Sequence, residues 1–217
     1  MYFDIEYKKE LNNAVNGEHL LKIFIELLIC DVKNNFEISD INENEHILNL
    51  TSTTESKFSH HIIVNHPQLI FVNNYVVGKY VKYLCEKLRD ISEMIIVTDE
   101  ITEATTPSHK ATRYGTFIDE GVYTKNRNFR LYLSSKFNKN VQLKLFHAVN
   151  KSERCVFLDS LVSVPNRLQC RLGKKSNVDT KLLTFEYDDP FSSPRINRMS
   201  ATLLAKNLPL NKRYWNH

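Results

Sequence analysis

Two segments of helical periodicity, each one-sided, constrain the fold of this chain more than any other feature. Over 17–34, Leu20, Leu21, Phe24, Leu27, Leu28 and Val32 recur at helical spacing. Over 73–91, Val76, Tyr80, Leu84 and Leu88 do the same. A helix with one apolar stripe has to bury it against something, and the segments between are strand-like. The stretches 2–7, 46–50 and 57–64 are short and rich in aromatic and β-branched residues, and 93–97 and 182–187 are further strand candidates. Helices covering one side of mixed strands predict an α+β fold. The Asn-rich stretch 37–45, the Thr/Ser run 51–54 and the polar, Pro107-containing stretch 98–114 read as loops. A turn is expected at 190–194 and a short helix at 200–207, while 141–146 and 155–161 are apolar segments left without an assigned type. Tyr75 and Tyr83 read as packing residues of the second helix.

The chemistry concentrates in three places. In 2–7, period two puts Asp4 and Glu6 on one face of a strand. Like charges there repel unless a cation lies between them, and oxygen ligands suit Mg²⁺ or Mn²⁺. In 57–64 the same period aligns Lys57, Ser59 and His61, three groups able to donate to phosphate oxygens, and turns His60 the other way. In 116–136 an apolar run ends in Asp119, Gly121 follows, then a turn carrying Lys125, Asn126, Arg127 and Asn128, then the alternating Phe129-Arg130-Leu131-Tyr132-Leu133. That alternation reads as a half-buried strand with Asn128, Arg130 and Tyr132 on one face and Phe129, Leu131 and Leu133 toward a core. From the residues alone each feature also has a plain structural reading: an exposed edge strand, a structural strand histidine, a solvated basic turn.

Composition narrows the class. Of 217 residues, 42% are hydrophobic and 25% charged, the balance of a globular chain with room for a sizeable core. No apolar run is long enough to span a membrane, so no membrane partner is expected. Cys30, Cys85, Cys155 and Cys170 are scattered without a CxxC pair, which reads as structural thiols and no zinc site. With only five glycines there is no phosphate-binding glycine loop. The net charge of +4 is unevenly placed: from Val141 onward there are 13 Lys+Arg against 6 Asp+Glu, the pattern of a polyanion-binding region.

The run Asp119-Glu120-Gly121-Val122-Tyr123-Thr124-Lys125-Asn126-Arg127-Asn128-Phe129-Arg130 resembles the third catalytic motif of the eukaryotic primase-polymerase (PrimPol) family, within the archaeo-eukaryotic primase superfamily. Asp4-x-Glu6 and Ser59-x-His61 resemble the first and second motifs, in the same order. The resemblance implies a primase-type catalytic core, an RRM-like sheet packed against a second α/β lobe. It implies nucleotidyl transfer, in which a primer 3′-hydroxyl attacks the α-phosphate of a dNTP or NTP on a single-stranded DNA template, in replication-fork damage tolerance and repriming. Two divalent ions, Mn²⁺ or Mg²⁺, would be held by Asp4, Glu6 and Asp119. The nucleotide would be held by Lys57, Ser59, His61, Arg127, Asn128, Arg130 and Lys136. It further implies a nuclear location, with the mitochondrial matrix as a second, and contact with a single-strand-binding protein through regions outside this chain. The chain opens at the first motif and ends at His217 without a Cys/His cluster. The expectation is therefore a catalytic core over 1–217, lacking the family's N-terminal segment and C-terminal zinc-binding module. Two other readings use the same residues: a weakly active or inactive nucleic-acid-binding remnant, and a metal-dependent nuclease. The triphosphate-directed cations Lys57, Arg130 and Lys136 favour synthesis.

Overall fold

The computed structural model describes residues 1–102, 110–147, 151–163 and 182–187. The chain divides into a unit of Met1–Glu186 and a second of Tyr187–His217, and the described strands and helices belong to the first. The turn expected at 190–194, the helix expected at 200–207 and Cys170 lie outside the described residues.

Four antiparallel strands make the central sheet: β1 (Tyr2–Lys8), β2 (Ile47–Thr51), β3 (Lys57–Val64) and β6 (Lys144–Leu145), in the order β1-β3-β2-β6. The register pairs Asp4 with His61 and Glu6 with Ser59, and on β3's other side His61 pairs with Leu50. Because side chains alternate across a pleat, this register sorts the sheet into two unlike faces. Phe3, Ile5, Tyr7, Phe58 and Ile62 enter the main core, shared with helices α1 (Gly17–Phe36) and α3 (Asn74–Arg89). Phe24 of α1 meets Phe3 and Phe117 edge to face, at ring separations of 5.2 and 5.8 Å. The helices start where the sequence provides caps: Asn16 accepts from His19 N, and Asn73 accepts from Val76 N. In α3 it is Val77, not Val76, that is buried, and of its two outer tyrosines Tyr83 packs against the core while Tyr75 stands exposed.

A polar link ties the two helices. Asp31 of α1, 7% exposed, accepts from Tyr80 Oη at 2.7 Å, Lys87 Nζ at 2.6 Å and Asn35 Nδ2 at 2.8 Å. A buried carboxylate is tolerated here because its lone pairs are occupied by three donors.

The opposite face of the sheet carries a smaller apolar cluster, Leu48, Leu50, Ile63, Leu143 and Val156, the last from helix α4 (Glu153–Asp159), with Tyr2, Phe129 and Tyr132 packed on it. This cluster covers one end of that face and leaves Asp4, Glu6, Lys57, Ser59 and His61 at the other.

Three expectations are corrected. The stretch 98–114 is not a loop: β4 (Ile95–Thr102) and β5 (Lys110–Thr116) form a two-stranded antiparallel ribbon. Its residues Thr98, Asp99, Thr112, Arg113 and Tyr114 are exposed, so no buried face writes an alternation into the sequence. Residues 129–133 are not a strand. The backbone turns at Tyr132–Leu133, Leu133 sits at φ 64° with its side chain exposed, and Phe129 and Tyr132, three apart, pack on the same cluster. Residues 182–187 form no ladder, only an isolated parallel bridge of Leu183 to Phe71. The stretch 37–45 also runs into one helical turn, α2 (Glu43–His46).

Candidate active site

The site is built on the free edge of β1. Residues 117–119 lie against it: Glu6 N donates to Phe117 O at 2.8 Å, Asp119 N donates to Asp4 O at 2.8 Å, and Ile5 bridges Ile118. The third sequence motif is thereby fastened to the first by main-chain hydrogen bonds, and Asp119, Asp4 and His61 fall in one row across the sheet. Asp119 Oδ1 accepts from Gly121 N at 2.8 Å and caps the short 3₁₀ turn Glu120–Tyr123. A Cβ on Gly121 would lie 2.9 Å from that oxygen, so only glycine leaves the carboxylate its place. Tyr123 Oη donates to Tyr2 O, and Asn74 of α3 donates to Tyr123 O, which hold the turn against β1 and the helix.

A cavity of about 220 Å³ opens here, lined by Asp4, His61, Asp119, Arg127, Arg130 and Lys136, with Asn128 at its wall. Asp4 Oδ1 is buried with no hydrogen-bond partner among the described residues, as are both ring nitrogens of His61. His61 Nε2 lies 3.5 Å from Asp4 Oδ1, and the Phe129 ring packs on the imidazole at 4.2 Å. Burial first, then the negative charges of Glu6 and Asp119, push Asp4 up to about 6 against the pull of Lys136 and Arg130. Burial, then the same two cations, push His61 down to about 3, so its imidazole is neutral at pH 7. Burial lowers Arg130, and Asp4 and Glu6 counter this.

The remaining expected site residues stand back from the cavity. Glu6 is in an ion pair with Lys57 at 2.5 Å, so each is engaged by the other. Ser59, 2% exposed, sits one hydrogen bond behind the wall: its Oγ lies 3.0 Å from Ser52 Oγ, and Arg130 Nη2 donates to Ser52 Oγ at 2.8 Å. Ser52 was not singled out by sequence reasoning, because the run 51–54 has no period and reads as a turn. His60 points to the other face, where Nδ1 meets Asn49 Oδ1 at 2.8 Å and Nε2 meets Thr51 Oγ1 at 3.2 Å, the bonds of a structural histidine.

Among the described residues no three His, Cys, Asp or Glu side chains form a metal-ligand cluster. What the site does hold is an orphaned, buried carboxylate oxygen on Asp4 beside Asp119, a hard-oxygen pair suited to a divalent cation such as Mg²⁺ or Mn²⁺. Glu6, the third expected carboxylate, is held through Oε2 by Lys57.

No protein-family model matches the chain. It is similar to the DNA-directed primase/polymerase protein of Bos taurus, 30% identical over 294 aligned positions that take in 100% of this chain and 52% of the relative. The protein of the same name from Homo sapiens is 29% identical over 226 positions, covering 75% of this chain and 40% of the relative. That from Danio rerio is 29% identical over 194 positions, covering 75% of this chain and 36% of the relative. The chain thus spans about half or less of the length of these curated relatives. Identity of 29–30% to these relatives, in one case over an alignment that takes in the whole chain, makes this a PrimPol-like protein, similar to the DNA-directed primase/polymerase proteins.

Proposed function

We propose that the chain is the nucleotidyl-transferring core of a DNA-directed primase/polymerase, with an RRM-like sheet and a second α/β lobe, joining a dNTP or NTP to a primer 3′-hydroxyl on single-stranded DNA. The observation that carries this reading is the meeting of Asp4 and Asp119 with Arg130, Lys136 and a neutral His61 around one cavity. Anions and cations side by side suit a metal-bound polyphosphate better than either a bare anion or a bare cation. Asp4 and Asp119 would hold a divalent ion. When bound, such ions neutralise charge on the attacking and leaving oxygens.

The chain's own residues do the positioning. Arg130, held by Ser52, presents its guanidinium to phosphate oxygens, and Lys136 adds a second positive charge. His61, fixed by Phe129, donates an N–H without adding charge. Lys57 reaches a triphosphate by exchanging Glu6 for a phosphate oxygen, and the released Glu6 then completes the carboxylate set. The role in repriming at damaged forks rests on the resemblance alone.

The Glu6–Lys57 ion pair favours a second reading, a nucleic-acid-binding protein with weak or no turnover. Extension of a labelled primer on a single-stranded template, with Mn²⁺ or Mg²⁺ and with EDTA as control, decides between them. Metal-dependent extension that Asp119→Ala abolishes supports the first reading. Binding without extension supports the second, and strand cleavage in place of extension refutes both.

A further inference from the structure

We infer that the tip of the 133–143 hairpin is a stacking platform for single-stranded nucleic acid, with Phe137 as the ring on which an unpaired base lies.

The hairpin is anchored at its root and formed at its tip. Leu133 N donates to Leu143 O at 2.7 Å, Leu143 N donates to Ser134 O at 3.0 Å, and Ser135 bridges Gln142. Leu143 is fully buried in the smaller apolar cluster. At the tip Lys139 N donates to Lys136 O at 3.0 Å, and Asn138 takes a left-handed φ of 58°. Those constraints hold Phe137 out in solvent, 92% exposed, the most exposed of the large hydrophobic side chains described. An ordered turn that holds a whole phenylalanine ring in water leaves both of its faces open to a flat ligand.

Charge says which occupant. Between Gly121 and Ser152 the sequence has Lys125, Arg127, Arg130, Lys136, Lys139, Lys144 and Lys151 and not one Asp or Glu. An acid-free segment with cations on both sides of an exposed ring matches a strand of phosphates bearing bases, and stacking on an isolated ring needs the bases unpaired. Lys136, next to Phe137 in the chain, also lines the Asp4/Asp119 cavity, so the platform is continuous with the site. The proposal rests on the nucleotidyl-transfer reading only for the strand's role as template or primer; the binding itself does not require catalysis.

The test is fluorescence anisotropy of a labelled oligo-dT and of a blunt DNA duplex with the full 217-residue chain, over a salt series. Phe137→Ala should weaken single-strand binding about tenfold, leave the salt slope and the duplex affinity unchanged, and leave the melting temperature unchanged. Phe137→Trp should retain or strengthen binding. Lys139→Ala should lower the single-strand salt slope by roughly 0.7. Equal affinities of wild type and Phe137→Ala, an equal loss on duplex, or no single-strand binding by the wild type each overturn the proposal; a protein partner then becomes the occupant to seek. Primer extension on the same variants separates the two readings. A Phe137-dependent strand affinity without extension leaves the platform standing and removes the catalytic reading, and the converse removes only the platform.

Discussion

Asp4→Asn should make the protein more stable and inactive at once. Asp4 is buried, its Oδ1 lacks a hydrogen-bond partner among the described residues, and Glu6 and Asp119 add negative charge beside it. Its carboxyl is pushed from 3.8 to about 6. Because the folded pKa lies above the unfolded one, the folded state holds the proton more tightly between those values. The group's contribution to stability is therefore complete below pH 3.8, declines as pH rises, and is fully lost above pH 6. At 1.36 kcal/mol per unit, the ionised carboxylate costs the metal-free fold about 3 kcal/mol at pH 7.5. Asparagine keeps the shape and removes the charge. Urea unfolding in EDTA should show a gain of about 2–3 kcal/mol for Asp4→Asn at pH 7.5 and a gain near zero at pH 3.5, with unchanged m-values. Added Mn²⁺ should raise the wild-type midpoint and not the variant's, and primer extension should fall by at least a hundredfold. A variant less stable than wild type at pH 7.5 would refute the electrostatic account, and near-normal extension would refute the role of Asp4 in holding a cation.

Ser52→Ala frees Arg130 and should reduce kcat/KM for the nucleotide about tenfold, mostly through KM, while Ser52→Thr restores much of it in steady-state extension assays. Tyr80→Phe removes one of three donors to the buried Asp31 and should cost about 1.5–3 kcal/mol by chemical denaturation, with extension per folded molecule unchanged. His60, pushed from 6.5 to about 4 by burial and then by His147, must stay neutral in the fold, so acid stability declines as pH falls from 6.5 toward 4. His60→Gln should flatten part of that decline in melting temperature against pH, since the buried His61 contributes with the same sign.

The sequence made legible what depends on local period. Asp4 and Glu6 share a face, and Ser59 and His61 share one, because strands alternate and the buried Phe3, Ile5, Phe58 and Ile62 mark the other side. Pairing was not legible. That Lys57 would reach diagonally to Glu6, and that Ser52 would stand between Arg130 and Ser59, depends on register and on loop closure, which no single segment encodes. The ribbon of β4 and β5 was hidden because neither face of its exposed part is covered. The alternation at 129–133 misled because Phe129 and Tyr132 reach the same apolar cluster through a turn and not along a strand.

The attachment of residues 117–119 to the rim of β1 also bears on the order in which the molecule gains its working form. Asp4 and Asp119 stand 115 positions apart in the chain, and closing so wide a loop is entropically unfavourable until the intervening helices and strands have packed. On that argument the two main-chain bonds that fasten 117–119 to the rim should form late in folding and be among the first lost in loosening. Mild denaturant should silence the chemistry while the helical signal persists, and amide protons of Glu6 and Asp119 should exchange well before those at the centre of β3. A tightly held ligand spanning both carboxylates would reverse that order, acting as a clasp across the seam between the two segments.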